Sequence, residues 1–282
     1  MTIGTGTSGA RSLGVHAADC LLPARNAVMP FPGQTRWWAS LLALLGVAIG
    51  LNLRDLSAAI GVPIPRLPIP FGGSLLDNLL AVLTAVLLAW LLKPRDLALA
   101  DSLGLRWHGA RGPLLVLLAT LPCWVGLAAL GRLNTAPEPL ALLLLAVLFP
   151  LAEEILYRGL GFVFLVRVLH WPAWLAALPQ AVMFGAVHWL GAGGIDGGAS
   201  AVQIVVLIAV GGLAFAWLNH LDRLTLWSGL ALHVSLNLAW NLFILDEAMA
   251  LDGKVTALRL AAAAMAVLTL ACWPRPSPDA PR

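Results

Sequence analysis

Eight long apolar stretches constrain the fold of this chain more than any other feature. A helix that crosses a membrane needs about 20 predominantly apolar residues, with a range of about 17–25. Stretches of this kind, separated by short polar or basic segments, lie at 37–53, 74–92, 113–131, 139–169, 172–190, 200–219, 224–245 and 255–273. We therefore predict an all-α polytopic membrane protein built as a bundle of about eight transmembrane helices.

The composition of the chain supports this class. Hydrophobic residues make up 60% of the 282 residues and charged residues only 11%, whereas a soluble domain carries about 25% charged residues. The net charge of +3 comes from basic residues between the apolar stretches, so no nucleic-acid partner is expected. Cys20, Cys123 and Cys272 have no metal-ligand spacing. The expected partners are the lipid bilayer and a substrate in or beside it, without a cofactor.

The pattern of linkers and repeats predicts one domain. No internal repeat or interdomain linker is visible, so we expect a single transmembrane domain over 37–273. Residues 1–36 and 274–282 would be tails on the cytoplasmic side. The first tail is predicted to be flexible, and it lacks the apolar core of a cleavable signal peptide.

The distribution of Lys and Arg predicts the orientation in the membrane. Arg158 and Arg259 fall inside apolar stretches; of the others, eleven lie on the side of the two termini and four on the opposite side. Cytoplasmic loops carry the excess of basic residues in membrane proteins. We therefore predict a multi-pass protein of the cell (inner) membrane with both termini cytoplasmic and the acidic segment 246–252 outside.

The fourth stretch holds charges that are costly at bilayer depth. Glu153, Glu154 and Arg158 lie within six residues of one another, and each charge costs roughly 2.5–3.5 kcal/mol on insertion scales. Residues i and i+4 share one face of a helix, so Glu154 should pair with Arg158. Glu153 points about 100° away. Because Glu153 has no cation one turn away on its own face of the helix, it is the better candidate for a general base.

A histidine on the fifth stretch is expected at the depth of this glutamate pair. The chain turns at His170, Trp171 and Pro172. Glu154 lies sixteen residues before His170, and His188 lies sixteen residues after Pro172. On two antiparallel helices these positions meet at the same depth.

The seventh stretch carries a polar stripe of His233, Asn237 and Asn241. Neighbouring donors such as His233 and Asn237 can stabilise the oxyanion that forms when water adds to a peptide carbonyl. Ser235 falls on a different face. We interpret Asn241 as a packing residue and Asp77, on the second stretch, as a surface or interhelical polar residue.

These side chains together predict a peptide hydrolase without a covalent nucleophile, because a carboxylate beside a neutral imidazole can hold and deprotonate a water molecule. Two alternatives remain open. Glu153, His188 and His233 could ligate zinc, since three protein ligands plus water form a catalytic zinc site, although the chain has no HExxH motif. Intramembrane charges also mark proton relays and substrate paths, so a transporter or a non-catalytic membrane scaffold is the other alternative.

Three motifs carry a resemblance to a known protein family. In chain order they are Glu153-Glu154-x-x-x-Arg158, Phe184-x-x-x-His188 and His233-x-x-x-Asn237. They resemble the motifs of the CAAX-protease and bacteriocin-processing family, whose members are Rce1-like intramembrane glutamic endopeptidases. The resemblance covers 139–245, the motif-bearing core of the transmembrane domain.

The resemblance implies a role for each motif. It implies that Glu153 and His188 activate the water. It also implies that His233 and Asn237 form the oxyanion hole. The implied supporting residues are Glu154, Arg158 and Phe184. The implied activity is an intramembrane, CAAX prenyl protease-like hydrolysis of a membrane-associated, lipidated or C-terminally sorted peptide or protein. Because some members of the family act in bacteriocin self-immunity, a self-immunity protein is a further alternative.

Overall fold

The computed structural model describes residues 37–245 and 252–273, and this part of the chain is almost entirely helical. Its eight long helices, numbered in chain order, are α1 Trp37–Ala59, α2 Gly72–Leu92, α3 Arg111–Leu130, α4 Pro139–Arg167, α5 Ala173–Gly191, α6 Gly198–Leu221, α7 Trp227–Leu242 and α8 Gly253–Cys272. All except α7 are long and apolar enough to cross a membrane. The predicted all-α polytopic class is confirmed. The predicted tails, and most of the acidic segment, lie outside the described residues.

Helix α7 is shorter than the predicted stretch of 224–245. It has 16 residues and is therefore about 24 Å long, less than the roughly 30 Å hydrocarbon core of a bilayer. Its start is delayed because Arg223 and Leu224 adopt a positive φ of 59°. Its end comes early because Phe243 is extended and belongs to a two-residue strand, β2 Phe243–Ile244, that pairs antiparallel with β1 Arg132–Leu133.

Helix α1 is longer than predicted. A 3₁₀ turn at Gly50–Asn52 carries the helix past residue 53 to Ala59. This extension brings Arg54 to Asp77 of α2, where Nε and Nη2 donate to the two carboxylate oxygens at 2.8 and 3.0 Å. Asp77 is therefore an interhelical residue, and the ion pair joins α1 to α2 at one end of the bundle.

Helix α4 lies at the centre of the bundle. Two of its segments, Leu144–Leu148 and Glu154–Phe164, are wound as π-helix, and every residue of the second segment is buried. Gly161 permits close packing, because a Cβ atom there would lie 3.0 Å from Cβ of Gln180 and 3.1 Å from Cγ2 of Val47. The helix continues unbroken through its glycines. Its π-winding is the kind of irregularity that is frequent at functional sites.

The predicted turn between α4 and α5 is present. His170 adopts a φ of 57°, the N–H of Trp171 donates to the carbonyl of Leu165 at 2.9 Å, and α5 begins at Ala173, directly after Pro172. The two helices therefore run in opposite directions, as the depth argument for the glutamate pair and His188 requires.

Candidate active site

The two adjacent glutamates of α4 have different environments. Glu154 and Arg158 have no exposed side-chain surface, and Nη1 of Arg158 lies 3.5 Å from Oε1 of Glu154. The predicted pairing of these two residues is thus present. The side chain of Glu153 is 16% exposed and lines a cavity. One carboxylate is therefore part of the protein core, and its neighbour is accessible to a ligand.

His233 of α7 contacts both carboxylates. Its Nδ1 atom lies 3.0 Å from Oε1 of Glu154, and its Nε2 atom lies 3.6 Å from Oε2 of Glu153. In the sequence analysis His233 was an expected oxyanion donor or, in the metal alternative, a zinc ligand, and no contact with Glu154 was expected. Its connection to the glutamate pair depends on how α7 packs against α4, which spacing along the chain does not indicate.

Asn237 is held by a backbone carbonyl that a proline leaves free. In the π-wound turn the carbonyl of Leu144 accepts from the N–H of Phe149. The next bond of this pattern would need an N–H at Pro150, which has none. Nδ2 of Asn237 donates instead to the carbonyl of Leu145 at 3.1 Å. An asparagine amide has two N–H groups, so the second remains to serve the cavity that Asn237 lines.

His188 of α5 faces the same cavity as Glu153. Its Nδ1 atom lies 2.8 Å from the carbonyl oxygen of Phe184. A carbonyl can only accept a hydrogen bond, so Nδ1 carries the proton and Nε2 of the neutral ring is an acceptor. The expectation that His188 lies at the depth of the glutamate pair agrees with this placement.

Two phenylalanines connect the buried arginine to both histidines. The guanidinium carbon of Arg158 lies 4.2 Å from the ring centre of Phe184 and 4.6 Å from that of Phe215. Phe184 makes an edge contact with His188, with ring centres 4.6 Å apart. Phe215 stacks on His233 at 4.9 Å. The rings therefore stabilise the cation and fix the orientation of the imidazoles.

No pattern in the sequence indicated a role for Phe215. It is an aromatic residue on α6, a helix that is apolar on every side, so its position carries no periodic signal. Phe184, in contrast, was expected from its motif.

Two cavities meet at Glu153 and His188. The smaller has a volume of about 290 Å³, and its lining is mostly apolar apart from Glu153, His188, His233, Asn237 and Arg259. The larger has a volume of about 910 Å³, and its further polar lining residues are Asn52, Asp55, Ser74, Asp77 and Asn78. A side chain at the junction can thus contact an apolar ligand on one side and water on the other.

The part of the chain that carries this site matches a known protein family. Residues 135–239 match the model of a family described as type II CAAX prenyl endopeptidase Rce1-like. This segment is similar to that family. At the level of the family, this match supports the activity of a CAAX-type intramembrane protease. The comparisons with curated proteins and with solved structures gave no match.

The matched segment contains all three motifs and extends from just before α4 into α7. It brings together Glu153, His188, His233 and Asn237 around the smaller cavity. Arg259 lies beyond the matched segment, on α8. In the sequence this arginine falls inside the last apolar stretch, and no motif there indicates a role for it.

The zinc alternative requires Glu153, His188 and His233 to converge on one point. Across residues 37–245 and 252–273, no group of three His, Cys, Asp or Glu side chains is arranged to hold a metal ion. Nδ1 of His188 is directed to a backbone carbonyl and Nδ1 of His233 to Glu154, so these contacts leave Nε2 of each ring for a ligand. The metal alternative is therefore a question for chelation of the active protein.

Proposed function

We propose that this protein is an intramembrane endopeptidase of the glutamic type that hydrolyses a peptide bond of a membrane-associated peptide or protein. One observation carries the proposal. Glu153, His188, His233 and Asn237, which come from three helices, line a single cavity of about 290 Å³. A base, a second proton acceptor and two donors in one apolar chamber are the groups that water-mediated amide hydrolysis needs.

Glu153 and His188 would activate the water. The carboxylate of Glu153 and Nε2 of His188 both accept hydrogen bonds, so a water molecule between them is oriented and loses its proton to Glu153 as its oxygen attacks the peptide carbonyl. The carbonyl oxygen becomes an oxyanion. Glu153 then delivers the proton to the departing amine, and the C–N bond breaks.

His233 and Asn237 would stabilise the oxyanion. Asn237 offers its second amide N–H. His233 can donate from Nε2 when both ring nitrogens carry protons, because Nδ1 already faces Glu154 at 3.0 Å. In that state the charges of Glu153, Glu154, Arg158 and His233 sum to zero, so the buried cluster carries no uncompensated charge.

The larger cavity would supply the water. Its lining lies near the end of α1, the start of α2 and the end of α5, as Asn52, Ser74 and Gly191 illustrate. These ends belong to the side of the bundle that carries four of the basic residues rather than eleven. With both termini in the cytoplasm, the larger cavity lies towards the extracytoplasmic face, and we propose that water enters from there.

Replacing one carboxylate tests the proposed function. Peptides that accumulate uncut in cells carrying Glu153→Gln identify a substrate, and its cleavage is then measured with purified protein in liposomes. Glu153→Gln should insert and fold but lose turnover. Glu138→Gln is the matched control, since it makes the same change at the exposed start of α4, where the carboxylate accepts from the N–H groups of Leu140 and Ala141 and the amide oxygen can still accept from one of them.

The same assay separates the alternatives. Full activity of Glu153→Gln would refute the glutamic mechanism. Loss of wild-type activity after exhaustive chelation, restored by zinc, would favour the metal alternative. A non-catalytic scaffold would keep its cellular phenotype in the Glu153→Gln strain.

A further inference from the structure

Arg259 is a charged residue that the proposed hydrolytic steps do not use. It lies on α8 and lines the smaller cavity together with Glu153, His188, His233 and Asn237. Its guanidinium carbon lies 3.7 Å from the ring centre of Trp240 on α7. Among the residues that the structure describes, no Asp or Glu forms an ion pair with Arg259.

The cost of this charge indicates a use. An arginine within a spanning helix is expensive and normally faces a protein interior or a partner group. Arg158, the other arginine near the site, is compensated by Glu154. Arg259 has instead an aromatic face on one side and the cavity on the other.

Stacking on Trp240 leaves the edge of the guanidinium available. A guanidinium presents its N–H groups in a planar fork that matches the two oxygens of a carboxylate. The tryptophan covers one face of this plane and limits its rotation. The cavity side is therefore suited to bind a carboxylate, and a peptide supplies such a group at its C-terminus or on an acidic side chain.

We propose that Arg259 binds a carboxylate of the substrate and thereby selects which peptide bond reaches Glu153. This inference rests on the proposed function. Because a cavity of about 290 Å³ is small for a ligand site and an extended residue spans about 3.3–3.6 Å, the carboxylate lies only a few residues from the bond that is cut. Arg259 is thus a specificity-determining residue outside the three motifs.

The test compares peptides that differ only in their carboxylates. Three pools of randomised decapeptides without internal acids are prepared: one with free C-terminal carboxylates, one with C-terminal amides, and one with C-terminal amides and a single aspartate near the end. Cleavage by the protein in liposomes is read by mass spectrometry. The wild type should cut a carboxylate-bearing pool roughly 10- to 100-fold faster than the plain amide pool, as expected for hydrogen bonds between charged groups.

The variants isolate the contribution of Arg259. Arg259→Gln should remove this preference, so that its ratio of rates between the pools falls to about one, while Arg259→Lys should keep part of the preference because the charge remains without the planar fork. Arg132→Gln, at an exposed arginine outside the cavity, should behave like the wild type. The aspartate pool tells whether the preferred carboxylate is terminal or on a side chain.

A binding measurement keeps the inference separate from the proposed function. The same pools are bound to Glu153→Gln protein, with and without Arg259→Gln, and the retained peptides are quantified. Carboxylate-selective retention that depends on Arg259 supports carboxylate binding by Arg259, even when no pool is hydrolysed. In that case only the proposed protease function fails. If all pools are retained or cleaved equally, and Arg259→Gln does not change these values, Arg259 does not bind a substrate carboxylate. The proposed hydrolysis would be unaffected by that result.

Discussion

The Nδ1 atom of His233 lies 3.0 Å from Oε1 of Glu154, the same oxygen that Arg158 approaches at 3.5 Å. This contact joins α7 to α4 in the buried core of the bundle. It gives Glu154 two cationic or donor partners on different helices, and it directs Nε2 of His233 towards Glu153. The glutamate expected to be only a partner of Arg158 therefore also sets the orientation of a proposed oxyanion donor.

Glu154→Gln tests this connection. The change keeps the shape of the side chain and replaces the carboxylate that Nδ1 of His233 faces at 3.0 Å by a neutral amide. We expect kcat to fall roughly 10- to 100-fold, the size of one lost charge-assisted hydrogen bond, with little change in KM. Steady-state kinetics on an identified substrate measures both values. A change confined to KM would indicate that Glu154 acts in substrate binding instead.

Arg158→Met should unfold the protein more easily. It leaves Glu154 completely buried without its cation, and breaking a buried ion pair costs about 3–5 kcal/mol. The double variant Arg158→Met with Glu154→Gln should be more stable than Arg158→Met alone, since no buried charge remains. Denaturation of the purified proteins in mild detergent gives the free energies of unfolding. A double variant that is less stable than either single variant would contradict this account.

Asn237→Ala should lower kcat by roughly 10²–10³-fold, which is the loss seen when one oxyanion donor is removed. The control is Asn241→Ala, one turn further along α7, whose amide donates at 2.8 Å to the backbone carbonyl of Asn237. That variant should retain most of the activity. Equal losses in both variants would show that the stripe has a packing role only.

Phe215→Leu should reduce kcat by up to about tenfold. The substitution removes the ring that stacks on His233 at 4.9 Å, and an aromatic pair contributes roughly 0.5–1.5 kcal/mol beyond its buried area. Phe243→Leu removes a comparable edge contact with Trp124, away from the site, and should leave kcat unchanged. Matching kinetic losses in the two variants would argue against an orienting role for Phe215.

Cysteine labelling tests the proposed side of water entry. Ser74→Cys lines the larger cavity and, in a background in which Cys20, Cys123 and Cys272 are replaced by alanine, should react with a membrane-impermeant thiol reagent added to cells with a permeable outer envelope. His108→Cys, exposed in the basic connection between α2 and α3, should react only after the membrane that holds the protein is opened. The reverse pattern would place the larger cavity on the cytoplasmic face.

The amino-acid sequence was sufficient to predict the class of fold, and it supplied the candidate residues of the site. Long apolar stretches have few ways to satisfy their backbone groups in lipid other than as helices, so their number and order could be read directly. Pairs such as Glu154 with Arg158 and Phe184 with His188 could also be predicted, because residues i and i+4 share a face within one helix.

Which faces of the helices meet depends on the packing of the whole bundle. His233 reaches Glu154 across 79 positions of the chain, and Asn237 is tied to α4 through a carbonyl that Pro150 leaves without a helical partner. Phe215 and Arg259 enter the site from helices that carry no motif. Periodicity gives the direction of a side chain relative to its own helix, whereas its neighbour depends on the rotation and packing of a second helix. That arrangement is set by the whole bundle.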